Sequence, residues 1–600
     1  MHLKGVFLPG GGSRLQLMMK RLSPAHADDA VGLENLAQIL APRSTVRPDG
    51  LCAVAGEPSG LSGSGLVTPD SLLDAYREAG PACLCGLAGS FSLVIVDPAR
   101  RLTLLAVDRM GIGRLTYSVG SGQLVFSSRA DEVANATDLP REIDAQRLYE
   151  FLFFHMMPSP GTAFSGVSKL PPAHFLELSP TGVRVERFWT PDFVPDPNWD
   201  TTMAVECLHE LLSAAVSDAA RDPGTVGSFL SGGLDSSAVS GYLRQSRQAM
   251  AGSFSIGFGV AEFDELQFAR EANRHFDIVG HEYHVTPTDI VDDFERIAGS
   301  YDEPFGNSSV VPTYRCAKMA REHGVDCLLA GDGGDELFAG NERYGKQQVF
   351  ELYWRLPSII RRGAVAPLAG LISPDNPITP LRKFRSYVDQ ASIPLPDRLE
   401  WWNYIYQQGL DTILAPEALP RVDRDRPLEH MRAVYADTEA EDTVNRMLAY
   451  DWRFTLADND LRKVTAMCEL AGVRVKFPML HDSLVDFSTH IPIREKIRGT
   501  ELRRFFRQAM DGFLPPMILQ KHKHGFGLPF GVWLKTETPL RDMIFSLLRE
   551  LSDTGILRRS FVDDLIAAQR SGDAGFYGYF IWDLAMFQAW CRHHGVTFRG

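Results

Sequence analysis

One seven-residue string constrains this chain more than any other: Ser231-Gly232-Gly233-Leu234-Asp235-Ser236-Ser237, set between the strand-like Val226-Gly-Ser-Phe-Leu230 and the helix-like Ala238-Val-Ser-Gly-Tyr-Leu243. A strand, a glycine-rich turn and a helix start make a phosphate cradle. The glycines let the backbone approach an anion, while serine hydroxyls and unpaired N–H groups at the helix N-terminus donate to it. Asp235 is placed to hold the divalent cation that bridges phosphate oxygens. The string is not a Walker A loop, since no Gly-Lys-Ser/Thr follows, and it is not the Gly-x-Gly-x-x-Gly dinucleotide fingerprint. The plainer alternative is a Ser/Gly turn that only joins strand to helix.

A second cluster, Gly331-Asp332-Gly333-Gly334-Asp335-Glu336-Leu337-Phe338-Ala339-Gly340, follows an apolar run ending at Leu329. Carboxylates on a glycine-rich turn at a strand's end reach a ligand at the C-terminal edge of a parallel sheet, which makes Asp335 a candidate second magnesium ligand. An EF-hand is the rival reading of such a string. It lacks the alternating oxygen-ligand spacing and the distal Glu.

At 600 residues the chain exceeds one hydrophobic core, and about 100–200 residues per domain suggests two large domains. Residues 1–195 read as sheet-rich, with short β-like runs such as Ser90–Val96 and Arg101–Val107 between Gly, Pro and Asp. The Pro-rich stretch Thr190–Trp199 reads as a linker. In 200–600, long amphipathic stretches alternate with the short runs Val226–Leu230, Gly252–Phe258 and Val325–Leu329, implying a parallel α/β sheet. From about 345 onward helical periodicity prevails.

The net charge of −14 argues against a broad nucleic-acid face. The eight cysteines show no Cys-x-x-Cys pair and fit a reduced, cytoplasmic location. No apolar run approaches the roughly 18–20 residues needed to cross a bilayer, so no membrane role is expected. No targeting segment is read at the N-terminus, where Pro9-Gly10-Gly11-Gly12 breaks the apolar start.

The first string resembles the PP-loop of ATP pyrophosphatases, and the two motifs together resemble the synthetase domain of the asparagine synthetase family, which includes β-lactam synthetases and lasso-peptide macrolactam cyclases. Phe254-Ser-Ile256-Gly-Phe258 resembles that family's adenine-side strand, Tyr301-Asp-Glu-Pro304 its substrate-side turn, and Lys521-His-Lys523-His-Gly-Phe526 its lysine loop. The resemblance implies an α/β PP-loop domain behind an N-terminal Ntn-hydrolase-like αββα sandwich of the glutaminase type. It implies ATP and Mg2+ held by Ser231 to Ser237, Ile256 and Gly331, with Asp235 and Asp335 on the metal. Lys523 would neutralise charge on the transferring phosphates, the alternative being a lone surface cation. Asp332 would act as general base toward an amine, or simply cap the following turn.

The first domain also resembles the family's glutaminase through Leu87–Leu93, Asp108-Arg-Met-Gly111, Gln123–Ser128 and Lys169–His174. The family's glutaminase uses a cysteine exposed as the first residue. Here position 2 is His2, the nearest cysteine is Cys52, and Gly56-Glu57 is at most a remnant of the glutamine-holding segment. His2 is read as a surface residue rather than a new nucleophile. Further departures, Thr465, Ala466 and Arg474, suggest a pocket that need not recognise free aspartate, with drift at packing positions as the alternative.

The expectation is therefore an ATP-dependent, AMP-forming ligase that joins a small-molecule or peptide carboxylate to an amine. The specific expectation is a lasso-peptide cyclase acting on a precursor peptide with a partner protease. The rival is an asparagine synthetase or amidotransferase using free or externally supplied ammonia.

Overall fold

The computed structural model describes residues 2–7, 31–33, 37–60, 63–120, 123–137, 139–247, 250–260, 262–521, 527–572 and 574–598. The first domain contains β1 (Lys4–Phe7), β2 (Val31–Leu33), β3 (Ala37–Leu40), β4 (Arg43–Arg47), β5 (Gly50–Gly56), β6 (Phe91–Asp97) and β7 (Leu102–Val107). It continues with β8 (Thr116–Gly120), β9 (Gln123–Ser127), β10 (Ser168–Lys169), β11 (His174–Ser179) and β12 (Gly182–Arg187), with α1 (Pro69–Ala79), α2 (Ala130–Ala136) and α3 (Ala145–Phe154) between them. These strands form two six-stranded sheets, in the orders β10-β8-β9-β1-β3-β2 and β12-β11-β7-β6-β5-β4.

Strand periodicity explains the layering. In β6, Val94 and Val96 enter the apolar layer shared with Phe126 and Leu124 of the other sheet, while Phe91, Leu93 and Ile95 face Leu72, Leu73 and Tyr76 of α1. Successive side chains point to opposite faces, and both faces are covered, so the strand reads as a continuous apolar run rather than an alternating one. The expected helix–sheet–sheet–helix sandwich is the one observed. Leu148 and Phe151 of α3 belong to the same apolar cluster as the core of the second domain, so the sandwich is bonded to its neighbour through a shared interior.

Asp200 starts the second domain's first helix, α4 (Thr201–Ala219), by accepting the N–H groups of Thr202 and Met203. The elements that follow are β13 (Val226–Phe229), α5 (Leu234–Ser246), β14 (Ser253–Gly257), α6 (Leu266–Phe276), β15 (Gly280–His284), α7 (Pro287–Ser300), α8 (Val310–Glu322), β16 (Cys327–Leu329) and α9 (Gly334–Phe338). Beyond them lie α10 (Glu342–Trp354), α11 (Thr379–Ala391), α12 (Leu461–Ala471), β17 (Arg474–Lys476), α13 (Arg504–Ala509) and α14 (Ala574–His594). The five strands pair in the order β15-β14-β13-β16-β17, every pair parallel. Chain order reverses between β13 and β16, so the loops leaving these two strands diverge to opposite faces and open a crevice between them. Among the described residues no helix is long and apolar enough to cross a membrane.

Candidate active site

The crevice at that reversal is a cavity of about 910 Å3. Register places its walls: Val226, Gly227 and Ser228 of β13 lie opposite Cys327, Leu328 and Leu329 of β16. The two glycine-rich loops therefore leave the same sheet edge side by side. Of the residues expected to bind nucleotide or metal, Ser231, Gly233, Leu234, Asp235, Ser236, Ile256, Gly331, Asp332 and Asp335 line the cavity. Gly232 and Ser237 sit behind the lining. Lys523 lies outside the described residues.

The glycines are required where they stand. Gly232 has φ +69, and a Cβ there would collide with Phe268 and meet Ala269 N at 2.6 Å. A Cβ on Gly331 would lie 2.7 Å from the Ser236 backbone nitrogen, and one on Gly334 would overlap the Asp235 carboxylate. Inside the loop, the Ser231 and Ser236 hydroxyls are 3.0 Å apart and the Gly233 N–H donates to Ser231 Oγ at 3.3 Å. The wholly buried Ser237 hydroxyl has no hydrogen-bond partner among the described residues. These are polar groups held ready at a helix start, as a phosphate-binding turn needs.

Asp235 and Asp335 converge on one cation, Arg503. Its guanidinium donates to Asp235 Oδ1 at 2.9 Å and Oδ2 at 2.6 Å, and also to Asp335 Oδ1. Arg503 caps α13 in the left-handed region, φ 53, and is buried. Two carboxylates that share one cation are close enough to share a magnesium, and the set of two carboxylates suits a metal that completes its shell with phosphate oxygens. Among the described residues no group of three or more His, Cys, Asp or Glu forms a self-sufficient metal site.

Behind this pair the charges are buried and coupled. Burial pushes the Asp332 carboxyl up to about 6, against the pull of the Lys463 ammonium. Burial, with Asp460 adding, pushes Glu336 up to about 7. Lys463 donates to Asp460 at 2.7 Å, and that charge together with Asp332 outweighs burial and holds the ammonium protonated. Lys521 closes the opposite wall: its Nζ lies 3.0 Å from Glu265, 3.4 Å from the Gly232 carbonyl and 4.6 Å above the Phe268 ring.

Arg503 and Lys521 were not among the expected site residues. Neither carries a local signal, because Arg503 is one of two arginines in Glu501-Leu-Arg-Arg504 and Lys521 sits two residues from the lysine that the motif singles out.

Three expectations need correction. The turn around Tyr301 does not line the cavity; Asp302 and Glu303 are buried at the seam between the domains. Asp302 accepts from Arg462 at 2.7 Å and from the Ala130 N–H at 2.8 Å, and Glu303 accepts from Lys169 at 2.9 Å and from the Ala163 N–H at 3.0 Å. Arg474 cannot shape the pocket. It lies opposite Cys327, at the sheet edge away from the loops, and forms a bidentate pair with the buried Asp222. Thr465 and Ala466 also lie outside the lining, whereas their neighbours Lys463 and Val464 belong to it; one turn of α12 presents only part of its residues to one side.

In the first domain, His2 precedes β1 and pairs with Glu469 of α12 at 2.7 Å. Cys52 lies in the middle of β5, fully buried, and burial drives its thiol far above the ordinary range. Glu57 is committed to Lys476 of β17 at 2.9 Å. Asp108 accepts four backbone N–H groups, from Phe91, Met110, Ile112 and Gly113.

Comparison with known proteins identifies the family. An asparagine synthase family model matches residues 207–592, and a glutamine amidotransferase domain model matches 68–189. Asparagine synthetase [glutamine-hydrolyzing] 1 of Bacillus subtilis is 24% identical over 521 residues, covering 86% of this chain and 80% of that protein. A putative asparagine synthetase of Methanocaldococcus jannaschii is 30% identical over 298 residues, 48% of this chain and 57% of that one. Amidase chry2 of Gibberella zeae is 24% identical over 498 residues, 76% of this chain and 72% of that one. With two glycine-rich loops converging at one sheet edge and a family model spanning more than half its length, the chain belongs to the asparagine synthase family of ATP-dependent ligases.

Proposed function

We propose that this protein adenylates a substrate carboxylate at the cavity between β13 and β16 and then couples the acyl group to an amine. One observation carries the reading: Asp235, Asp335 and the serine-lined loop face a single cavity. The carboxylate oxygen attacks the α-phosphorus of ATP and pyrophosphate departs. The amine then attacks the acyl carbon, the C–O bond to AMP breaks, and AMP leaves. Asp235 and Asp335 would hold magnesium, which supplies Lewis-acid stabilisation of phosphate oxygens when bound.

The chain's own residues do the rest. Loop N–H groups and the Lys521 ammonium orient the anionic substrate, and Lys463 counters charge beside Asp332. Asp332, with a proton affinity raised toward neutrality by burial, is suited to take the proton that the attacking amine must lose.

The amine, on this reading, comes with the substrate. Cys52 is locked inside a sheet, and His2, ahead of β1, is held by Glu469 of α12. The amidotransferase match, which begins at residue 68, leaves β1 and β5 outside it. The specific proposal is a macrolactam cyclase of the lasso-peptide kind, acting on a precursor peptide delivered by a partner protease.

A second reading, amide formation from free or externally supplied ammonia, is favoured by the relatives named as asparagine synthetases. The test is AMP and pyrophosphate release by the purified protein, with a candidate precursor peptide in one tube and aspartate plus ammonia in another. AMP only with peptide, accompanied by loss of one water from the peptide mass, supports the cyclase. AMP only with aspartate and ammonia overturns it in favour of the second reading.

A further inference from the structure

Helices α10 and α11, with the short helical turns between them, form a lobe outside the main core. Its own interior is small, built on Tyr353, Ala369, Val388 and Ala391. Phe350, Val365, Ala366 and Tyr387 pack against it, and Tyr344 at the start of α10 belongs to the main core, but many of the remaining apolar side chains point outward. Residues 354–385 contain nine of the 23 exposed large hydrophobic side chains among the described residues, far more than their share of a 600-residue chain. The most prominent are Ile359 and Leu371, 83% and 84% exposed, at the corners of the helical turns, followed by Leu368 at 59% and Ile378 at 55%.

The charge of the same segment opposes that of the molecule. Residues 354–385 carry six Lys and Arg against one Asp, in a chain whose net charge is −14. Arg355, Arg362, Arg382 and Lys383 are exposed on the lobe beside the apolar corners. An apolar face rimmed by cations is what binds the boundary between headgroups and acyl chains of an anionic bilayer: aliphatic tips enter the hydrocarbon edge while Lys and Arg meet the phosphates. Self-association is the poorer fit. A two-fold contact places a surface against itself, so the lobe's cations would face one another.

We propose that this lobe docks the protein peripherally on an anionic membrane surface. The sequence leads to the expectation of no membrane role because no run can span a bilayer, and no described helix can either; the proposal departs from that expectation, since surface docking needs no span, only side chains that folding leaves facing outward. The lobe's first helix also contributes Glu342, Gly345 and Lys346 to the cavity wall, so docking would hold the cavity close to the bilayer.

The experiment is flotation of the full-length protein with vesicles of pure phosphatidylcholine and of phosphatidylcholine containing phosphatidylglycerol, at low and high salt, beside sedimentation without lipid. The expected result is flotation with the anionic vesicles only, weakened by salt, and reduced at least about tenfold by Leu371→Ser combined with Ile359→Ser, with catalytic turnover in solution unchanged. A charge-reversed variant, Arg362→Glu with Lys383→Glu, is expected to lose flotation while remaining folded by circular dichroism. Failure of the wild-type protein to float at low salt overturns the proposal. So does equal flotation of the variants, or a concentration-dependent dimer that Leu371→Ser abolishes without any effect of lipid.

Discussion

The arginine–carboxylate cluster at the domain seam and the one in the cavity differ in what encloses them. At the domain seam, Arg462 meets Asp302 at 2.7 Å and Glu303 at 3.5 Å, with Lys169 and backbone N–H groups taking the remaining oxygens. Against burial, the Arg462, Arg114 and Arg129 guanidiniums hold Asp302 well below the usual carboxylate range. In the cavity, Arg503 meets Asp235 and Asp335, but one side of that cluster opens onto about 910 Å3 of space. The chemistry of the pairs is the same. Enclosure makes the first a clasp between domains, and an open side makes the second a site where a ligand's charges can replace the protein's own.

If that contrast is right, breaking the two clusters has different consequences. The largest effect on stability is expected at the seam: Arg462→Met leaves buried carboxylates short of a partner and costs about 3–5 kcal/mol, read as a fall in denaturant midpoint with the active-site chemistry of the folded fraction unchanged. A change within experimental error would show that the clasp is dispensable. In the cavity, Asp235→Asn is expected to cut pyrophosphate release by about 10²–10³-fold while shifting the unfolding midpoint little. Equal turnover would remove Asp235 from the mechanism.

Smaller effects sharpen the picture. Lys521→Met is expected to raise the KM for ATP several-fold more than it lowers kcat, because the ammonium binds along the loop rather than at the reacting bond; a pure kcat effect would contradict that placement. The last prediction concerns Lys496, buried with its ammonium donating to Asn445 Oδ1 at 3.0 Å and lying 5.2 Å from the Phe193 ring. Burial pushes it down to about 7. Between that value and an unfolded value near 10.4 the unfolded chain binds more protons, so stability rises with pH across this window, with a slope of at most about 1.4 kcal/mol per pH unit. Below about pH 7 the lysine is charged in both states and its contribution is constant. Lys496→Met should flatten the wild-type slope measured between pH 7.5 and 9.5; an unchanged slope would assign the dependence elsewhere.

What the sequence disclosed, and what it hid, follows the same division between local and tertiary causes. β6, β7, β13 and β14 were legible because apolar runs bounded by glycine, proline and aspartate are local signals, and the loop at 231–237 because its glycines answer a local backbone demand. Arg503 was not legible, since its role exists only where α13 meets two loops 268 and 168 residues away. Asp302 and Glu303 were assigned to a substrate-side turn by resemblance, and folding instead turns them into the seam. Arg474 misled for a related reason: a departure from the family's residue at one position says nothing about which end of a strand that position occupies.

The central claim, that the open cluster serves carboxylate adenylation, is tested most directly by isotope transfer. The purified protein would be given Mg-ATP, its amine-bearing substrate and carboxylate oxygens labelled with 18O, and the nucleotide product analysed by mass. AMP carrying one 18O is the predicted result, since the carboxylate oxygen that attacks the α-phosphorus leaves with it. ADP, or AMP without label, would contradict the account.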